Sequence, residues 1–342
     1  MTDFVVGTSA YGHADKDLLR EAHVGFVRQG FPFPFTDRHG GTVSEKYREA
    51  RARAESWVEQ GFRIMGITPL IGFERPDEEP RVWKVYSPDW MGDQLSETFS
   101  ENYRKTCAFL AEDLRGLVSI WQIGNEWNAR AFCGPLGMRR ACDLVFYGAE
   151  GLKSSDPTVL VGTNGGGITT AYYLWGRLFN DARRDLLDYC GVDEYFGTHR
   201  VGGPENWDTM IEELADITQS KVLVNEWGYS SAGELMNDAE RQRAWGGAYY
   251  RSCMIHKWPF AWGGGHTPEV QAEYIRHTLR IFGKHRDKLI GMFFYRWEDQ
   301  EKCWCGRSDC PCETRWGLVD LGGTPKPGYY AFKEGVRDLM DA

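Results

Sequence analysis

Two glutamates stand in matching surroundings. One apolar run closes on Ile123-Gly124-Asn125-Glu126-Trp127-Asn128 and another on Val224-Asn225-Glu226-Trp227-Gly228, so each Glu follows an asparagine and precedes a tryptophan. A carboxylate at the end of a run such as LVSIWQIG or KVLV loses much of its solvation unless it is paired or neutralised. Two such groups facing one pocket can divide acid, base and nucleophilic work, because repulsion and burial keep a proton on one while the other stays ionised. Carboxyls about 5–5.5 Å apart suit double displacement at an acetal carbon, one attacking while the other protonates the leaving oxygen.

A second cluster lies between 303 and 312, where Cys303, Cys305, Cys310 and Cys312 form two Cys-x-Cys pairs. Four thiolates in so short a segment can close around one tetrahedral Zn2+ as a structural site, although the usual spacing is Cys-x-x-Cys. Two disulfides, or four reduced thiols, are the alternatives. A zinc held this way would brace a loop and leave no open position for catalysis, so the chemistry itself calls for no cofactor. Nine cysteines is an odd number, which argues against a fully paired framework. Cys107, Cys133, Cys142, Cys190 and Cys253 are scattered singly and read as reduced, buried thiols. With no signal-like segment at the N-terminus, they point to a cytoplasmic protein.

The elements that must position these groups show in the apolar pattern. Short runs rich in Val, Ile, Phe or Tyr occur at 4–10, 24–31, 63–71, 117–124, 159–163, 192–199, 221–227 and 289–297, which predicts eight strands. Between them the period becomes helical, at about 15–22, 44–60, 93–115, 138–153, 171–189, 206–219, 238–256, 268–287 and 328–340. Thr42 and Glu45 have the spacing of a capping box for the second helix. Strands alternating with helices imply parallel pairing through right-handed crossovers. The expected fold is a single (β/α)8 TIM barrel over 1–342, with long loops at 72–92, 257–267 and 298–327 and a Cys-rich insertion at about 298–315. An open doubly wound sheet is the alternative, but the first βα turn has no GxGxxG and no P-loop occurs. In a barrel the chemistry sits where strands end, and strands four and seven lie across the barrel from one another.

Composition removes other classes. The 342 residues carry a net charge of -9 and no apolar run long enough for a membrane span, so neither a polyanion-binding surface nor a membrane partner is expected. The chain has 14 Trp, 16 Tyr and 18 Phe, and flat apolar sugar faces are one ligand that uses exposed aromatic rings.

The order of elements, with Asn-Glu after strand four and Glu after strand seven, resembles clan A of the glycoside hydrolases over roughly 4 to 335. The ending Trp316-Gly317-Leu318 followed by Thr324-Pro325-Lys326-Pro327 is similar to that clan's as well. The resemblance implies a retaining β-glycosidase acting on an oligosaccharide or glycoside, with Glu126 as general acid/base and Glu226 as nucleophile. It also implies that Asn125 bonds the sugar 2-hydroxyl, that Arg28 lies below the nucleophile and that Trp297 forms the platform under the sugar. His199 matches the first residue of the clan's His-x-Tyr signature, but Val201 stands where its tyrosine would be. Either Tyr195, Tyr229 or Tyr295 then bonds the nucleophile in its place, or the role is unfilled. Trp127, Trp227 and Asn164 are further candidates for lining the pocket, with Glu298, Asp299, Tyr11 and His13 behind them. Alternatives on the same scaffold are a transglycosylase and a carbohydrate-binding barrel without activity.

Overall fold

A computed structural model describes residues 4–74, 82–245, 255–303, 306 and 308–341. Eight strands form the centre: β1 (Val5–Thr8), β2 (Phe26–Gly30), β3 (Arg63–Ile67), β4 (Val118–Gln122), β5 (Leu160–Gly166), β6 (Tyr189–Glu194), β7 (Val222–Trp227) and β8 (Leu289–Phe294). Each pairs in parallel with its sequence neighbours, and β8 closes on β1, giving a closed barrel. The main helices around it are α1 (Lys16–Glu21), α2 (Glu45–Glu59), α3 (Glu97–Asp113), α4 (Gly137–Ser155), α5 (Ile168–Phe179), α6 (Asn206–Thr218), α7 (Pro268–Lys284) and α8 (Pro327–Asp341). This is the (β/α)8 arrangement that the alternating pattern predicts. Among the described residues no helix is long and apolar enough to cross a membrane.

Several boundaries differ from the sequence expectation, for local reasons. The helix expected at 171–189 ends at Phe179, because Asp181 turns back to accept the Arg183 N–H and a short 3-10 turn follows at Arg184–Leu186. That frees Tyr189 to begin β6, three residues before the run at 192. The second helix is capped by Ser44, whose hydroxyl accepts from the Tyr47 N–H, whereas Thr42 is held by Asp37 in the preceding turn. The expected loop at 72–92 contains a small hairpin, Gly72–Glu74 paired with Trp83–Val85.

The barrel interior is built in layers by the two-residue period of strands. Phe26, Met65, Ile120, Tyr189, Leu223 and Phe293 pack together as an apolar floor. Two rings fill it so closely that a Cβ at Gly7 would come within 2.2 Å of Phe293, and one at Gly162 within 2.6 Å of Tyr189. Two residues further along, the inward positions turn polar. Phe26 is followed by Arg28, Ile120 by Gln122, Gly162 by Asn164, Gly191 by Asp193 and Leu223 by Asn225. The aromatic surplus is largely structural: Trp121, Trp175, Trp207 and Trp227 are fully buried in the larger core around the barrel.

Phe293→Ala empties part of the floor and is expected to cost about 3–5 kcal/mol, read as a lowered urea midpoint. An unchanged midpoint would mean that the floor does not depend on that ring.

Candidate active site

Glu226 owes its position to a bulge. Val224 pairs with Val192 and Glu226 with Asp193, so β7 carries one residue more than β6 at this point. The extra residue re-aims the strand end: Asn225 faces the barrel axis, Glu226 turns to the mouth, and Trp227 points outward into the helical layer. Two groups then clamp the Glu226 carboxylate. Arg28 Nη1 forms an ion pair with Oε1, and the Tyr195 hydroxyl donates to Oε2. The two charged side chains are only 7% and 13% exposed, so water screens the pair weakly. Burial opposes the charge on Arg28, but the carboxylate of Glu226, first among its neighbours, raises its pKa above the ordinary value. Burial, and then the charge of Glu226, hold the Tyr195 phenol well above its usual range, so it remains a donor.

Glu126 follows β4 in a tight turn in which Gly124 has φ +61° and Glu126 itself φ +41°. A non-glycine residue held at positive φ is strained, and hydrogen bonds on either side secure it. The Glu126 N–H donates to Asn164 Oδ1 at 2.9 Å, and its carbonyl accepts from the Ala129 N–H at 2.7 Å. Its carboxyl lies over Gly166, where a Cβ would come within 2.4 Å of Oε1.

Asn125 is fixed between the two glutamates. Its Oδ1 accepts from Arg28 Nη2 at 2.9 Å, Gln122 Nε2 at 3.0 Å and Asn164 Nδ2 at 3.0 Å. Gln122 Oε1 in turn accepts from Arg28 and from Asn225 Nδ2 at 2.8 Å. The side chain of Asn125 is thereby oriented by its oxygen, and its amide nitrogen has no acceptor among the described residues. One guanidinium, Arg28, therefore ties the Glu226 segment to the Asn125-Glu126 segment.

Other expected site residues take different roles. Trp127, Trp227 and Trp297 are at most 2% exposed, and none presents a face to the mouth. Trp127 donates its indole N–H to Ile123 O beneath Gly124. Trp227 packs among Phe282, Phe294 and Phe332. Trp297 lies beyond the end of β8 and meets Tyr329 edge-on at 5.9 Å. The expectation that Trp297 forms a sugar platform is thus corrected: β8 stops at Phe294, and the ring whose phenol feels Glu226 is the half-buried Tyr295, edge-on to Tyr195 and Trp316. Asn164 is fully buried and hydrogen-bonds the Glu126 N–H and Asn125 Oδ1. Tyr195 bonds Glu226, whereas Tyr229 donates to the Trp262 and Gly265 carbonyls. His199 rests on Trp316, with Nε2 3.3 Å from Glu313 Oε1.

Gln122, Asp193 and Glu313 escaped the sequence reading. The first two stand at inward positions of apolar strands, a signal that was available. Glu313 comes from the Cys-rich loop and is placed only by the fold. In that loop Cys303, Cys310 and Cys312 are buried in one cluster with Trp258 and Trp316, against Tyr195 and Tyr295; Cys305 lies outside the described residues, as does Cys253. Among the described residues, no three His, Cys, Asp or Glu side chains gather as a metal site. Cys107, Cys133, Cys142 and Cys190 are buried thiols.

At the β1–β8 side of the mouth, Glu298 is 5% exposed, its Oε2 accepts from the Tyr11 N–H at 3.3 Å, and its Oε1 is buried without a partner. Burial raises its pKa against the pull of the Tyr11 hydrogen bond and of Arg296. The folded-state value therefore exceeds the unfolded one. Its contribution to stability is full below the unfolded value and is lost as pH rises through the folded one. Glu298→Gln is expected to gain in Tm relative to the parent as pH rises above the ordinary carboxylate range, about pH 4; a Tm difference that does not change with pH would refute the assignment.

No family model matches this chain, and no curated protein does. Solved structures share its fold. A family 39 glycoside hydrolase from Bacteroides cellulosilyticus WH2 aligns with TM-score 0.64 and 15% identity, over 99% of this chain and 64% of that one. An exo-β-1,4-mannosidase from Opitutaceae bacterium strain TAV5 aligns with TM-score 0.64 and 14% identity, over 99% and 60%. The chain thus spans less than two thirds of both proteins. An endoxylanase of glycoside hydrolase family 10 from a sugarcane soil metagenome aligns with TM-score 0.65 and 15% identity, over 97% of this chain and 96% of that one. What this chain shares with these structures is the eight-stranded parallel barrel that glycoside hydrolases of several families use.

Proposed function

We propose that the protein is a retaining β-glycosidase in which Glu226 is the nucleophile and Glu126 the general acid/base. The observation that carries this reading is the clamp on Glu226. Arg28 and Tyr195 hold one carboxylate oxygen each, and the same Arg28 reaches Asn125 beside Glu126. Such a clamp orients a carboxylate for attack and suits it to be a leaving group afterwards, because the charge it regains is met at once by a cation and a phenol.

In the first step a Glu226 oxygen bonds the anomeric carbon while the bond to the leaving oxygen breaks, and the Glu126 proton passes to that oxygen. In the second, Glu126 takes a proton from water, the water oxygen bonds the anomeric carbon, and Glu226 departs as carboxylate. The uncommitted amide of Asn125 is placed to hydrogen-bond the sugar 2-hydroxyl, a contact that strengthens in the oxocarbenium-like transition state.

Two walls support action on the end of a short oligosaccharide. The hairpin after β3 is fastened to the loop after β4 by Phe73 against Phe132 at 5.3 Å and by the 2.9 Å ion pair between Arg130 and Glu74. Across the mouth stands the Cys-rich loop with Glu313 and Trp316.

A panel of aryl β-glycosides, from galactoside to mannoside, finds the substrate. Glu226→Ala and Glu126→Ala are each expected to lower turnover by about a thousandfold or more, and azide should rescue the former with inverted configuration at the anomeric carbon. Proton NMR of the first-formed sugar should show the β anomer. An α anomer, or undiminished turnover in either variant, would sink the mechanism.

A further inference from the structure

Asp193 is a third carboxyl of this centre. It stands on β6 in register with Gly166 of β5 on one side and Glu226 of β7 on the other, and it is 1% exposed. Oδ2 accepts from Asn164 Nδ2, while Oδ1 is buried without a hydrogen-bond partner. Among the described residues no cation forms an ion pair with it. The nearby guanidinium of Arg28 is spent on Glu226, Gln122 and Asn125.

The charged and titratable groups facing Asp193 are Glu226 from β7, Glu126 from the end of β4, Arg28 from β2, and Tyr189 and Tyr195 from its own strand and the residue after it. Two of these are carboxyls, and the single cation already has an anion. An ionised Asp193 would put a second negative charge into a dry space with one positive charge, without a donor for Oδ1.

We propose that Asp193 is a proton-bearing carboxylic acid that serves as a positioning residue: it anchors Asn164, and through it Glu126, while leaving Arg28 a single anion to balance. The inference rests on reading Glu226 as nucleophile and Glu126 as acid/base, and it adds a charge rule to that reading. Before glycosyl transfer the anion opposite Arg28 is Glu226. After transfer Glu226 is an ester and Glu126, having given up its proton, is the anion. With Asp193 neutral the centre holds one cation and one anion in both states; with Asp193 ionised it would carry an excess negative charge throughout. Burial, and then the charges of Glu226 and Glu126, push the Asp193 pKa well above the carboxylate range against the pull of Arg28.

Two readouts test this. The carboxyl 13C resonance of Asp193, identified by its loss in Asp193→Asn, is expected at the protonated position at about pH 7 and should not titrate between about pH 5 and about pH 8. In kinetics, Asp193→Asn keeps both the neutral charge and an acceptor for Asn164. It should therefore retain kcat/KM within about threefold and leave both limbs of the pH profile in place, whereas Asp193→Ala should lose more than about tenfold in kcat. An ionised resonance at neutral pH overturns the proposal, whether or not the chain hydrolyses glycosides. A basic limb lowered by about one unit or more in Asp193→Asn also overturns it, because removing a real charge beside Glu126 would ease its ionisation. Loss of activity in Glu226→Ala together with an ionised Asp193 would leave the glycosidase reading standing and remove only this one.

Discussion

The site hangs on one buried guanidinium. Arg28 is the last inward residue of a strand whose previous inward residue is Phe26, and it meets Glu226, Gln122 and Asn125 at once. A cation in so dry a place is tolerable only with an anion against it, and a fork with several fixed donors holds its partners in one plane far better than an ammonium would. The two glutamate segments come from opposite sides of the barrel and share no backbone hydrogen bond. What registers one to the other is this side chain, helped by Gln122.

The polar layer around Arg28 follows from strand geometry. With a period of two, each strand that contributes an apolar side chain to the floor contributes its next inward side chain one layer higher. Buried amides and carboxyls at that height are stable only as a connected network, and here Gln122, Asn125, Asn164 and Asp193 are linked by side-chain hydrogen bonds. The apolar floor below gives the network something rigid to stand on, and Tyr189 joins the two layers by donating to the Trp121 carbonyl from inside the barrel at 2.9 Å.

Much of this was legible in the sequence. The eight strands show as apolar runs, and both glutamates stand out because a charge at the end of such a run requires a reason. Arg28 stands out in the same way. The tryptophans misled: Trp127, Trp227 and Trp297 sit beside the site in sequence, but a turn, a bulge and an early strand end send each of them into the core. None of those three features has a signature as plain as a hydrophobic period. Tyr195 was one of three equivalent candidates, since its distance from Glu226 depends on the register between β6 and β7. The helix ending at Phe179 was overrun because Leu186, Leu187 and Tyr189 continue an apolar rhythm past a turn that a single aspartate sets.

The hairpin after β3 is riveted to the loop that follows Glu126, by a ring pair and an ion pair with a buried Glu74. It therefore belongs mechanically to the strand beside its own, and the two loops form a single block of architecture. Grafting a foreign hairpin there to alter selectivity would tug on Glu126, and the Cys-rich loop across the mouth bears in the same way on Tyr195, which bonds Glu226. Each bank of the mouth is thus built into the seat of one glutamate.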